Sequence, residues 1–95
     1  MSLYVVMSRL TDEGRKSLKN KPERLKEVNE EVSRMGAKLL HQYALLGEWD
    51  FLNIIEAPDH GTIAKVLVEL GSRGTVLTSS TVAMPVDEFL NRLKD

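Results

Sequence analysis

"KLLHQYALLGEWDFLNIIEA", residues Lys38–Ala57, decides the fold. Two strand-forming runs, Lys38–Leu46 and Trp49–Ala57, flank Gly47-Glu48, a pair suited to a two-residue hairpin loop. Such a loop sets Leu46 opposite Trp49 and, counting outward, Tyr43 opposite Leu52, Gln42 opposite Asn53 and His41 opposite Ile54. Side chains alternate across a strand. One face therefore carries Leu39, His41, Tyr43, Asp50, Leu52, Ile54 and Glu56. The other carries Leu40, Gln42, Ala44, Phe51, Asn53, Ile55 and Ala57. Both faces are largely apolar, whereas a sheet with one wet face alternates more cleanly. The hairpin is expected to be covered on both sides.

Upstream, Leu3–Leu10 reads as a first strand. "TDEG", Thr11–Gly14, breaks it and offers Thr11 or Asp12 as a helix cap. A short helical turn over Arg15–Asn20 precedes Pro22, a residue tolerated at a helix start. Leu25, Val28, Val32 and Met35 then share one face of a helix that Gly36 ends. Downstream, Pro58-Asp59 stops the hairpin, and Asp59 can cap a helix whose apolar stripe is Ile63, Val66, Leu67 and Leu70. "GSRG", Gly71–Gly74, is a helix stop and turn, without the lysine of a phosphate loop. Val76–Met84 is a fourth strand. Pro85 opens a last short helix with Phe89, Leu90 and Leu93 facing inward.

This order, β-α-β-β-α-β plus a terminal helix, predicts an α+β, ferredoxin-like fold with a four-stranded antiparallel sheet, one domain over residues 1–95. Both main helices fall on one face of such a sheet. The other face keeps leucine, isoleucine and tyrosine, and an apolar patch of that kind marks an interface. A homo-dimer or higher homo-oligomer through the open sheet face is expected.

Composition narrows the function classes. The 95 residues hold 13 Lys+Arg against 14 Asp+Glu, a formal net charge of −1. Nothing here builds the positive field that nucleic acid or an anionic membrane requires. There is no cysteine, so disulfide and thiolate chemistry are excluded. "MSLYVVMSRL" lacks the basic start and apolar length of a signal peptide, so a cytoplasmic location is expected. The two histidines, His41 and His60, have no ligand spacing, and neither a metal site nor a cofactor is predicted.

Several motifs together resemble the GYD family of bacterial and archaeal domains. They are Tyr4, the T-x-x-G of Thr11–Gly14, "PER" at Pro22–Arg24, Tyr43 with Leu46-Gly47, "EAPD" at Glu56–Asp59, the G-x-V-x-T of Gly74–Thr78 and "DEF" at Asp87–Phe89. The name-giving motif differs at one position: Gly47-Glu48-Trp49-Asp50 has tryptophan where the family has tyrosine. That exchange keeps an aromatic surface and loses a phenol. The resemblance implies a dimeric α+β barrel and no established reaction.

The candidate ligand-binding residues are Tyr43, Trp49 and Asp50, at the edge of a pocket for a small molecule. No catalytic residue is assigned, with His41 the single candidate. Two functions follow. One is a small homo-oligomeric domain that binds a small molecule or regulates through assembly. The other is a cofactor-free isomerase or monooxygenase, with a small, for instance aromatic, substrate in an inter-sheet cavity, His41 as base and Tyr43 as donor.

Overall fold

Strands β1 (Ser2–Leu10), β2 (Lys38–Ala44), β3 (Phe51–Ala57) and β4 (Val76–Ala83) form one antiparallel sheet in the order β2-β3-β1-β4. Helices α1 (Asp12–Asn20), α2 (Arg24–Arg34), α3 (His60–Gly71) and α4 (Val86–Leu93) complete the chain. The computed structural model describes residues 1–94.

The core lies on one side of this sheet. On the central strands Tyr4, Val6, Ile55 and Ala57 are buried, and they meet Val32 of α2 and Ile63 and Val66 of α3. Of the stripes expected from their spacing, Val32, Ile63 and Val66 are buried, Met35, Leu67 and Leu70 pack at the margin, and Leu25 and Val28 stay half-buried beside a cavity. Asp59 caps α3 as anticipated: its Oδ1 accepts from the Thr62 backbone N–H and hydroxyl, each at 2.8 Å. Gly36, at φ +97°, turns the chain from α2 into β2.

Among the described residues, no helix covers the opposite face. It presents Leu3, Val5, Met7, Leu52 and Ile54, all half-buried, with Tyr43 and Leu77 more than half exposed.

Four expectations are corrected. The turn expected over Arg15–Asn20 is a full helix beginning at Asp12. Thr11 caps it by accepting from Gly14 N–H at 3.1 Å, and its own hydroxyl donates to the Gly74 carbonyl at 2.7 Å. The hairpin keeps the expected register as far as Ala44 opposite Phe51, and Leu45 N–H still donates to the Asp50 carbonyl. The ladder nevertheless stops there, so the loop is wider than two residues. Its arms find partners on β1 instead, where Asp50 N–H donates to the Ser8 carbonyl at 2.8 Å. In β2 a bulge between Leu39 and His41 sets Leu39 opposite Ile55 while His41 stays opposite Ile54. An extra residue on one strand reverses the facing on one side of it, so Leu39 packs against the helix-side core and not beside His41. Finally, α4 does not face inward. Val86, Phe89, Leu90 and Leu93 are 67%, 51%, 47% and 66% exposed, and the helix makes no extensive contact with any other element.

Gly14 is fixed by close approach. Thr11 N–H donates to the Thr75 carbonyl at 3.0 Å, which draws the start of β4 onto the first turn of α1. A Cβ on residue 14 would stand 2.0 Å from that carbonyl oxygen. Gly14→Ala is expected to cost about 1–3 kcal/mol through overpacking. Gly71→Ala, where an added Cβ meets nothing within 4 Å, should instead be neutral or stabilising by about 0.5–1 kcal/mol. Urea unfolding of the two variants checks this, and equal midpoints would remove the steric explanation.

Candidate functional site

The four residues singled out in the sequence do not converge on one point. His41 and Tyr43 lie two apart on β2, and their rings stack nearly parallel, with centroids 6.4 Å apart and planes at 13°. Both are exposed and both belong to the helix-free face, opposite Ile54 and Leu52.

Trp49 and Asp50 leave the hairpin in different directions. The Arg9 guanidinium sits over the Trp49 ring, 4.8 Å from its centroid, a cation–π contact. The same guanidinium is steered by Glu48, donating to its backbone carbonyl at 3.0 Å and to its carboxylate at 2.9 Å. Asp50 turns towards the junction of β1 and α1. Its Oδ2 accepts from Leu10 N–H at 2.7 Å, and Arg15 of α1 is 4.0 Å away. Asp50 thus pins the end of β1 to the hairpin, while one face of Trp49 is occupied by the chain's own arginine.

A hollow partly open to solvent lies on the other side of the sheet. A cavity of about 180 Å³ lies between α1, α2 and the helix-side face, walled by Leu18, Leu25, Val28, Leu39 and Phe51. Its polar part is a relay of amides. Asn53, nearly fully buried, donates to the Val6 carbonyl and the Ser8 hydroxyl and accepts from Gln42 at 2.8 Å. Gln42 exchanges hydrogen bonds with Asn29 of α2. The cross-strand pairing of Gln42 and Asn53 is the one read from the sequence; its extension to Asn29 carries the strand register into the helix layer.

Arg73, from the "GSRG" turn, closes the same cavity. It is ion-paired with Glu31 of α2 through Nη2, and Glu69 lies 3.7 Å from that nitrogen. Arg24 reaches Glu31 as well, at 3.4 Å. The Arg73 hydrogen bond, with Arg24 beside it, holds the Glu31 carboxyl below the ordinary carboxylate range. Sequence reasoning treated this segment only as a turn. Glu31 and Arg73 are 42 positions apart, and no local pattern announces the pair.

The GYD domain family matches residues 4–93. This chain is a member of the GYD family. One relative, named glutamine synthetase and cystathionine beta-lyase binding protein, from Thermus thermophilus, is 45% identical over 95 residues, covering 99% of this chain and 100% of its own. Solved structures share the fold at low identity. MtbAldR superposes with a TM-score of 0.66 at 18% identity over 88% of this chain, which spans only 52% of that longer protein. TTHA0845, also from Thermus thermophilus, gives 0.57 at 16% identity, with 90% of this chain and 95% of that one covered. At these identities the likeness is one of α+β fold alone.

Two outcomes test the roles given to these polar groups. Asp50→Ala removes the acceptor for Leu10 N–H and is expected to destabilise the chain by about 1–3 kcal/mol, with Asp50→Asn milder because one oxygen remains; equal stability of Asp50→Ala and the native chain in urea would contradict the pinning role. Glu31 also links stability to pH. Folding lowers its pKa, so its contribution is present above the unfolded value, about 4.3, and disappears as pH falls through the lower folded value. Glu31→Gln should therefore flatten the acid limb of a stability–pH curve, and an unaltered limb would show that the pair with Arg73 does not form in solution.

Proposed function

We propose that this protein is a small homo-oligomeric binding protein that regulates metabolic enzymes by docking onto them, with glutamine synthetase and cystathionine β-lyase as the partners suggested by its Thermus relative. The observation that carries the reading is α4. An amphipathic helix with four large apolar side chains in the i, i+3, i+4, i+7 pattern stays in water when the chain is taken alone. About half of each side chain remains to be buried, which corresponds to roughly 3–6 kcal/mol for the four together. A micromolar complex needs about 8 kcal/mol net of the cost of association. The stripe on α4 is thus insufficient by itself, and a homo-oligomer supplies the remainder by presenting more than one copy of it.

In this reading the strand order is that of the ferredoxin-like fold, and a second copy covers the open face in a dimeric α+β barrel. The protein works in the cytoplasm. Tyr43 and the free side of Trp49 are contact residues at the rim, while Asp50 holds the loop that presents Trp49. The rival reading, a cofactor-free enzyme with His41 as base and Tyr43 as donor, asks for an enclosed space that reaches both. His41 and Tyr43 are exposed on the open face, so that space would be one between the sheets of two copies.

Sedimentation velocity of the purified protein mixed with each enzyme from the same organism tests the proposal. The expected result is a complex with at least one enzyme at micromolar concentration, weakened about tenfold or more by Phe89→Ser with Leu93→Ser, as the loss of two apolar contacts implies. Because α4 stands clear of the core, the double variant should keep the native unfolding curve. Failure of the native protein to bind either enzyme would contradict the proposal.

A further inference from the structure

We propose that the outer edge of β4 is a self-association surface, on which β4 of a second copy pairs antiparallel about a two-fold axis at Ser79 and joins two sheets into one. This contact goes beyond the pairing of open faces proposed above and does not depend on it.

The two edges of the sheet differ. The order β2-β3-β1-β4 leaves β2 and β4 outermost. An outer strand presents unpaired backbone N–H and C=O groups, and bulges, charges and proline are what guard such an edge against pairing. β2 has two of these guards: it starts on Lys38, and the bulge between Leu39 and His41 breaks its regularity. β4 has none. Val76–Ala83 holds no charged residue and no proline, and its ladder with β1 runs from Val76 opposite Leu10 to Ala83 opposite Leu3 without a shift in register. Ser79, Ser80, Thr81 and Val82 are exposed in succession, and α4, which follows, makes no extensive contact with the strand.

The strand's own sequence selects the occupant. With no charge on β4, a second β4 lies beside it with no like charges opposed. A two-fold axis normal to the sheet keeps each face continuous and makes the contact reciprocal, so it passes beside one residue and its own copy. Ser79 is the position that matches the side chains. On the helix side Val76 then lies opposite the partner's Val82, and Thr78 opposite the partner's Ser80. The first pair covers Val82, which is 59% exposed in the single chain, and hydroxyl pairs such as the second hydrogen-bond across strands. An axis at Ser80 sets Val82 against Thr78, and one at Thr78 sets Val76 against Ser80, so neither brings the two valines together.

Cross-linking tests the contact, because the chain has no native cysteine. Thr78→Cys and Ser80→Cys are prepared separately, mixed, and oxidised with copper phenanthroline in air. Directly opposed residues of an antiparallel pair have Cα atoms about 4.5–5.5 Å apart, inside the about 4.4–6.8 Å that a disulfide spans. The mixture should give a cross-linked dimer several-fold faster than either variant alone, in which the two thiols sit on a diagonal about 7–8 Å apart. Both positions lie on the helix side, opposite Ser8 and Val6 of β1, so an open-face dimer does not bring them together and its failure leaves the result unchanged. Backbone N–H groups alternate in direction along a strand, so of Ser79→Pro and Ser80→Pro one removes a bond to β1 and the other only an outward N–H. The variant that stays folded should sediment with a mass lower than the native one by about twofold or more. Cross-linking no faster in the mixture than in either variant alone would overturn the proposal. So would a native mass in the folded proline variant; loss of an enzyme complex in that variant would then assign the edge to a strand of the enzyme.

Discussion

A sheet that buries only one of its faces is the constraint on which the rest of this structure depends. Two helices, α2 and α3, pack Val32, Ile63 and Val66 against the central strands and enclose a core of eight buried apolar residues. A chain of this size has little further surface to hide internally. The apolar residues of the other face, and the whole stripe of α4, are left for something outside the chain. In the proposed reading, assembly follows from how the core is built.

The helix-covered side is held by polar connections between elements that are distant in sequence. Thr11 and Gly14 fasten α1 to the start of β4 through the Gly74 and Thr75 carbonyls. Asp50 fastens the hairpin to the end of β1. Asn29, Gln42 and Asn53 connect α2 through β2 to β3, and Arg73 joins the turn after α3 to Glu31 of α2. Polar groups withdrawn from water, as Asn53 is fully and the others in part, are costly unless each finds a partner. They tie the helices over the sheet at defined places while leaving a half-open space between them that Arg73 borders.

Much of the architecture was legible because its signals are local. Placing the turn at Gly47-Glu48 between two strand-forming runs gave the cross-strand pairs Tyr43–Leu52, Gln42–Asn53 and His41–Ile54, although the ladder stops short of a two-residue loop, and Asp59 after Pro58 announced a helix cap. The bulge at Leu39–His41 was not legible, because consecutive leucines satisfy either facing. Nor was the exposure of α4: an apolar stripe shows that one side of a helix seeks cover, not which surface supplies it. Asp50 looked like a ligand contact because its partner, Leu10 N–H, is 40 positions away. Trp49 looked free because Arg9, equally remote, could not be placed over its ring. The cavity and the ion pair of Glu31 with Arg73 depend on the same kind of long-range contact, which only the folded chain brings together.

The central claim is that a second copy covers the open sheet face in solution. Sedimentation equilibrium of the native protein across the micromolar range measures this directly. The account predicts a mass that is a multiple of the 10.7 kDa chain, falling towards that of the monomer only on dilution. A homogeneous 10.7 kDa species at every concentration would contradict it.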